Sequence, residues 1–370
     1  MPMHDPPAPL LAVVIGAYRG RVGVMAWRIR RRTRALAGVA PEEGVKRLLW
    51  LLFVPLVAAL LAASAAATPR TAPEGAATLA TLDCRQVTAA EVDAVLAAAP
   101  APRIIALEGS VPIVTMEPFA AFLESMGYPA ERLANPADGK RSYGSFVASR
   151  RVAGELAWHY EREGLMPILI GHSRGGMIVI KTLNDLAGAS GEPIPVWNPA
   201  RDEPEARMTI VDPLTGQSRP VVGLRVDYAV AMATGSLPRQ LLGQWGVLPL
   251  LQEVPDSVVE FTGFAIPWDP IAGTGPNPAP FRATGHAQVR NIVLPASYSH
   301  IGLPRADHLA REPATRAWIN AYFPNTTAPP PADVDTTNLF HAAEIWYGVK
   351  QHWCRGAQRL LARPASAGLP

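Results

Sequence analysis

Cysteine is nearly absent from this chain: 370 residues contain two, Cys84 and Cys354. A small scaffold held together by many disulfides is therefore excluded. Charged residues make up only 18% of the sequence and aromatic residues 7%, which does not match a highly charged disordered chain. No internal repeat is visible, and no glycine-rich phosphate loop of the GxxxxGK[ST] type occurs. The eight histidines show no HxxxH or other clustered metal-ligand spacing, so neither a metal nor a cofactor is expected.

A basic surface is also missing. The formal charge of +3 arises because nine of the 34 basic residues, but only three of the 31 acidic ones, lie in residues 1–50. That leaves 25 basic against 28 acidic residues in the body, which argues against a nucleic-acid partner.

What the chain does have is 49% hydrophobic residues, 38 prolines and one long uncharged run. Residues 48–67 (LLWLLFVPLVAALLAASAAA) are enough to span a bilayer core as a helix. Arg28, Arg30, Arg31, Arg32, Arg34, Lys46 and Arg47 precede them. This bias places residues 1–47 in the cytoplasm and everything after residue 67 outside it, in the periplasm or secreted. Ala65 and Ala67 occupy the small-residue positions of a signal-peptidase site. Cleavage and retention as a membrane anchor both remain open. An exported location would permit a disulfide between Cys84 and Cys354, and two unpaired thiols are the alternative.

Residues 68–81 (TPRTAPEGAATLAT) lack apolar periodicity and are expected to be a linker, with the folded domain beginning near Leu82. From Arg103, RIIALEGS reads as a strand ending at Gly109, and a helix with Phe119, Phe122, Leu123 and Met126 at helical spacing follows. A second helix over about 145–163 leads into the apolar strand LMPILI, then GHSRGG, then a third helix over 175–186. This alternation with short links implies parallel strands and crossover helices, an α/β sheet. Residues 188–224 are Pro-rich and irregular, with a small hairpin expected around DPLTGQ, and read as a lid-like insertion. DYAVAMATGS, EFTGFAIPWD and VRNIVLP supply three more strands, making at least five. After the break APPPAD, residues 338–361 form an amphipathic helix in an extension covering 326–370. Its stripe of Leu339, Ala343, Trp346, Val349 and Trp353 favours packing on the domain over lying on a membrane.

Gly171-His172-Ser173-Arg174-Gly175 matches G-x-S-x-G, between an apolar strand and a helix as that motif requires. Such a strained turn exposes the Ser173 hydroxyl and brings the Arg174 amide to the reacting oxygen. With LEGS, the AMATGS strand end, IPWD and YSHIGLP, the chain resembles the α/β-hydrolase family, in particular its bacterial lipase and esterase members, over about residues 103–323. The resemblance implies a mostly parallel sheet with helices on both faces. It also implies a catalytic order of serine, acid, histidine, which Ser173, Asp269 and His300 satisfy. Asp256 and Asp307 compete with Asp269, and His308 with His300. His172 reads as a packing and hydrogen-bonding neighbour. The second oxyanion donor is expected from the backbone of Ser110 or Val111. There Glu108 departs from the His-Gly common in relatives, and its carboxylate would need a partner such as Arg174 or Arg141.

The implied function is hydrolysis of a small-molecule or lipid ester through an acyl-enzyme on Ser173. Two other readings stay open: a cell-envelope acyltransferase using the same triad, and a catalytically silent binding protein. A membrane partner is expected only through the N-terminal segment, if it is not cleaved.

Overall fold

The computed structural model describes residues 72–111, 113–235, 249–325 and 329–363. The basic segment 1–47, the apolar run 48–67 and the cleavage positions Ala65 and Ala67 lie outside the described residues. Among the described residues no helix is long and apolar enough to cross a membrane.

Five strands form the centre: β1 (Ile104–Leu107), β2 (Ile168–His172), β3 (Val226–Met232), β4 (Val258–Ala265) and β5 (Gln288–Val293). They lie side by side in chain order, every neighbouring pair parallel. β1 and β2 are buried along their whole length, as near-continuous apolar runs must be when helices cover both faces of a sheet. Alternate residues go to opposite sides, so Ile104 and Ala106 join one core while Ile105 and Leu107 join the other.

The helices are α1 (Ala72–Thr81), α2 (Ala89–Ala94), α3 (Glu117–Ser125), α4 (Ser149–Glu163), α5 (Arg174–Leu186), α6 (Pro313–Ala321) and α7 (Leu339–Leu361). Phe119 and Phe122 of α3, Ile319 of α6 and Trp346 and Trp353 of α7 fill the first core. Val152 and Leu156 of α4 and Val179 and Leu183 of α5 fill the second. The protein is thus a mixed α/β structure with a parallel five-stranded sheet between two helical layers.

Two expectations need correction. The stretch expected as a linker over 68–81 is helical from residue 72. Alanine is the strongest helix former, Leu79 is buried in the first core, and Gln358 Nε2 donates to the carbonyls of Leu79 and Leu82.

The insertion at 188–224 does contain the expected hairpin, Thr209–Val211 against Ser218–Pro220, and a second one, Trp197–Asn198 against Glu203–Pro204. It is pinned to α4 and so is not built as a lid. Arg207 pairs with Glu161 at 2.6 Å, Trp158 Nε1 donates to Glu205 at 3.1 Å, and a Cβ on Gly154 would stand 2.3 Å from the Pro195 carbonyl.

The C-terminal helix packs on the domain, as its apolar stripe favours, in one compact unit with the sheet. Its polar residues His341, Glu344, Lys350 and His352 are buried as well as its apolar stripe, because each finds a partner. Lys350 Nζ donates to the carbonyls of Val87 at 2.7 Å and Asn320 at 3.1 Å, and burial brings its pKa down to about 8. Glu344 accepts from the Tyr322 hydroxyl at 2.6 Å and pairs with Arg290 at 2.5 Å. Cys84 and Cys354 are bridged, with their Cα atoms 5.4 Å apart, and so tie the α1–α2 connection to α7.

Candidate active site

The turn between β2 and α5 is determined by steric exclusion. A Cβ on Gly171 would lie 2.4 Å from the Gly175 carbonyl, and one on Gly175 would lie 2.1 Å from the Leu107 carbonyl oxygen. Only glycine fits at either position. Between them Ser173 takes φ 53° and ψ −116°, a region costing a residue with a side chain about 1–3 kcal/mol. Its amide donates to the Met232 carbonyl at 2.8 Å, which anchors the strained turn to β3.

The loops after β4 and β5 bring the other two groups. His300 Nε2 accepts from the Ser173 hydroxyl at 2.9 Å, and His300 Nδ1 donates to Asp269 Oδ2 at 2.6 Å; this tautomer follows from the bonding pattern. The second carboxylate oxygen of Asp269 accepts from the amides of Ile271 at 2.9 Å and Ala272 at 3.0 Å. Its own amide donates to Thr274 Oγ1. Burial opposes ionisation of Asp269, but the His300 bond and the two amides outweigh it and hold the carboxyl below its ordinary range.

His172 lies under this group. Its Nε2 donates to the His300 carbonyl at 2.8 Å, so it positions the loop that carries His300. Burial, reinforced by the neighbouring His300, brings its pKa down to about 3. His172 is therefore neutral at physiological pH and adds no charge beside the nucleophile.

The loop after β1 approaches from the other side. A Cβ on Gly109 would stand 3.1 Å from both the Ser173 Cβ and His172 Nδ1, which places the backbone leading to Ser110 and Val111 against the nucleophile. The amides of Ser110 and Val111 donate to no other group among the described residues. The Arg174 amide opens α5 directly after Ser173, and the Arg174 guanidinium stacks 4.4 Å over the Phe146 ring.

Glu108 pairs with neither arginine expected for it. Its Oε2 accepts from the Ser142 hydroxyl at 2.7 Å, and Ser142 in turn accepts from the Met116 amide at 3.0 Å. Arg141 is engaged by Glu124 instead. Ser142 is a contributor the sequence reading missed. It lies 34 residues from Glu108 in an irregular stretch, and no local pattern points to it. Gly109 was legible only as a strand end; its small size is what lets the loop close on the nucleophile.

The competing residues lie elsewhere. Asp256 pairs with the exposed His286, Asp307 with Arg311, and His308 with Asp335. Among the described residues no group of three His, Cys, Asp or Glu side chains has metal-ligating geometry.

No family model and no curated protein matches the chain. One solved structure, described as RedJ with a PEG molecule bound in the active site, shares 17% identity over 58% of this chain and 89% of its own, with a TM-score of 0.29. That likeness is too slight to carry an argument about fold family or function.

Proposed function

We propose that this chain is a serine hydrolase of the α/β-hydrolase type that cleaves carboxylic esters through an acyl-enzyme on Ser173. The observation that carries the reading is the unbroken chain Ser173, His300, Asp269, with separations of 2.9 and 2.6 Å, on a strained turn where Ser173 is half-buried. His300 takes the Ser173 proton as Oγ attacks the ester carbonyl, and Asp269 fixes the tautomer and stabilises the resulting imidazolium. The oxyanion accepts hydrogen bonds from the Arg174 amide and from Ser110 or Val111. Collapse of the tetrahedral intermediate sends the proton from His300 Nε2 to the leaving alcohol. Water then repeats the sequence and releases the acid.

The Ser173 to His300 spacing weighs against a silent scaffold. An acyltransferase shares the first half-reaction, and the cleft of about 660 Å³ that runs out from Gly109 and Ser110 offers room for an alcohol in place of water. Export of the catalytic domain, with or without a retained anchor, is part of the proposal. The basic segment ahead of an apolar run and the Cys84 to Cys354 bridge support it.

The test is covalent labelling by a fluorophosphonate probe together with turnover of a panel of acyl esters. Wild-type protein takes up the probe at Ser173 and releases acid. Absence of both label and turnover sinks the proposal, and ester product in the presence of a competing alcohol turns it toward acyl transfer.

A further inference from the structure

The cleft that runs out from Gly109 and Ser110 has a largely apolar lining that carries a particular set of polar groups. Glu108 enters it from the loop that closes on Ser173, and Glu117, Ser142, Thr115, Asn135 and Phe146 line it. One oxygen of Glu108 accepts from Ser142. The other, Oε1, has no bond partner among the described residues, and even a Cβ built on Gly144 would come no nearer to it than 4.0 Å. Among the described residues, Glu117 accepts from the Arg141 amide alone.

The two basic residues of the lining, Lys140 and Arg151, have carboxylate partners of their own, one of which, Asp138, also lines the cleft. Lys140 pairs with Asp138 at 3.2 Å, and Arg151 pairs with Glu155 at 2.9 Å and with Asp202. Neither Glu108 nor Glu117 has a basic side chain within ion-pair distance among the described residues.

Each class of substrate meets these groups differently. An anionic moiety is repelled by two carboxylates. A purely apolar alcohol would strip water from Glu108 Oε1 and give it nothing in return. A bare cation would satisfy the carboxylates but leave the Thr115 hydroxyl and the side-chain N–H groups of Asn135 unused, Ser142 being already bonded to Glu108 and to the Met116 amide. A moiety with several hydroxyls satisfies all of them, because carboxylates accept and the neutral groups both donate and accept.

An apolar platform is present as well. The Phe146 ring is 79% exposed, and Arg174 stacks on it and holds it in place. The open ring surface suits the C–H face of a sugar or cyclic polyol.

We infer that this cleft reads the alcohol half of a polyhydroxylated ester, a sugar or polyol ester, with Glu108 accepting from substrate hydroxyls and Phe146 packing against the ring. The inference rests on the ester-hydrolase reading of Ser173 and names the substrate class of that same site. It explains why a carboxylate occupies the position beside the oxyanion loop. An acid placed there would hinder an acyl chain and serves a hydroxylated leaving group.

Two measurements on the full chain separate this inference from the chemistry it rests on. The first compares kcat/KM for an acetyl ester of methyl glucoside, an acetyl ester of a six-carbon alkanol and acetylcholine. Wild type prefers the glucoside ester to the alkyl ester by about tenfold or more, and Glu108→Gln lowers that ratio by about tenfold. Phe146→Ala, which removes an exposed ring and leaves no buried cavity, lowers it by about threefold or more. Equal loss on both esters, no initial preference, or preference for acetylcholine overturns the inference.

The second is saturation-transfer NMR with methyl glucoside, which needs no turnover. Contact in wild type that weakens in both variants supports the cleft assignment even if Ser173 proves inert. No contact in wild type overturns the assignment while leaving the esterase reading intact.

Discussion

His300 and His352 each bond a carboxylate, and the two pairs lie in contrasting surroundings. His300 donates to Asp269 at 2.6 Å at the carboxyl edge of the sheet, and its other nitrogen meets the Ser173 hydroxyl. His352 donates to Glu260 at 3.1 Å beneath α7, stacked on Tyr228 with ring centres 5.0 Å apart. Arg290 stands by Glu260 at 3.7 Å and bridges to Glu344. Both histidines are more than nine-tenths buried. A histidine and a carboxylate are therefore not in themselves a catalytic device. The difference lies in the third partner, the hydroxyl of Ser173 on a strained turn in one case and a salt-bridge network in the other. The Ser173, His300 and Asp269 group lies where the loops end the strands, and α7 covers one face of the sheet.

The widest separation of the two regions comes from paired substitutions. Ser173→Ala is expected to lower ester turnover by about 10⁴- to 10⁶-fold with little change in the unfolding midpoint. His352→Phe leaves Glu260 without its hydrogen bond and is expected to cost about 3 kcal/mol of stability while fluorophosphonate labelling persists. Steady-state kinetics and urea unfolding of both proteins make the check. Loss of labelling in folded His352→Phe would break the comparison.

Asp269→Asn probes the catalytic pair alone. It keeps the shape of the loop but lets the amide favour the wrong imidazole tautomer, and about a 10³- to 10⁴-fold fall in kcat is expected. A loss below tenfold would point to another acid.

The next effect concerns pH. His172, with a pKa of about 3, and His341, with a pKa of about 4 through burial, stay neutral in the folded protein. An unfolded histidine takes a proton near pH 6.5. The unfolded chain thus binds more protons below that pH, and stability falls as pH drops from about 7 to 5, by on the order of 2 kcal/mol for each histidine. Glu155 and Glu344, whose carboxyls burial raises, act in the opposite sense. The informative quantity is the difference between wild type and His341→Gln, measured by denaturant unfolding at both pH values. Parallel curves for the two proteins would discount His341.

Reduction tests how α7 is held. Breaking the Cys84 to Cys354 bridge, or replacing both residues by serine, is expected to cost about 2–4 kcal/mol. Turnover per folded molecule should be unaffected, since neither cysteine approaches Ser173. A stability change below about 0.5 kcal/mol would mean that α7 is held by its packing alone.

Much of the catalytic edge could be read in the sequence. The elbow is a local object: five residues between an apolar strand and a helix, two of them glycines because backbone comes within 2.5 Å. Asp269 and His300 were found by their order and by their positions just after strands. The face covered by α7 was far less legible. The Ala-rich stretch ahead of Leu82 shows little periodicity, yet α1 forms because Gln358 and the core receive it. The amphipathic pattern of 338–361 leaves Lys350 off the apolar stripe, but Lys350 is 2% exposed and bonded to carbonyls 263 and 30 residues away. Glu108 shows the same limit at the active edge, since Ser142 reaches it from a loop that carries no motif.

By itself the sequence determined the order of strands and helices and the nucleophile turn, and it marked which residues could act as base and acid. Those features depend on short-range sterics and on periodicities within single elements. Only the tertiary structure decided which of several histidines meets the Ser173 hydroxyl, what satisfies Glu108, and that the polar residues of α7 are buried with its apolar stripe. These outcomes depend on contacts between distant segments, whose geometry follows from packing the whole sheet and not from any one stretch of chain.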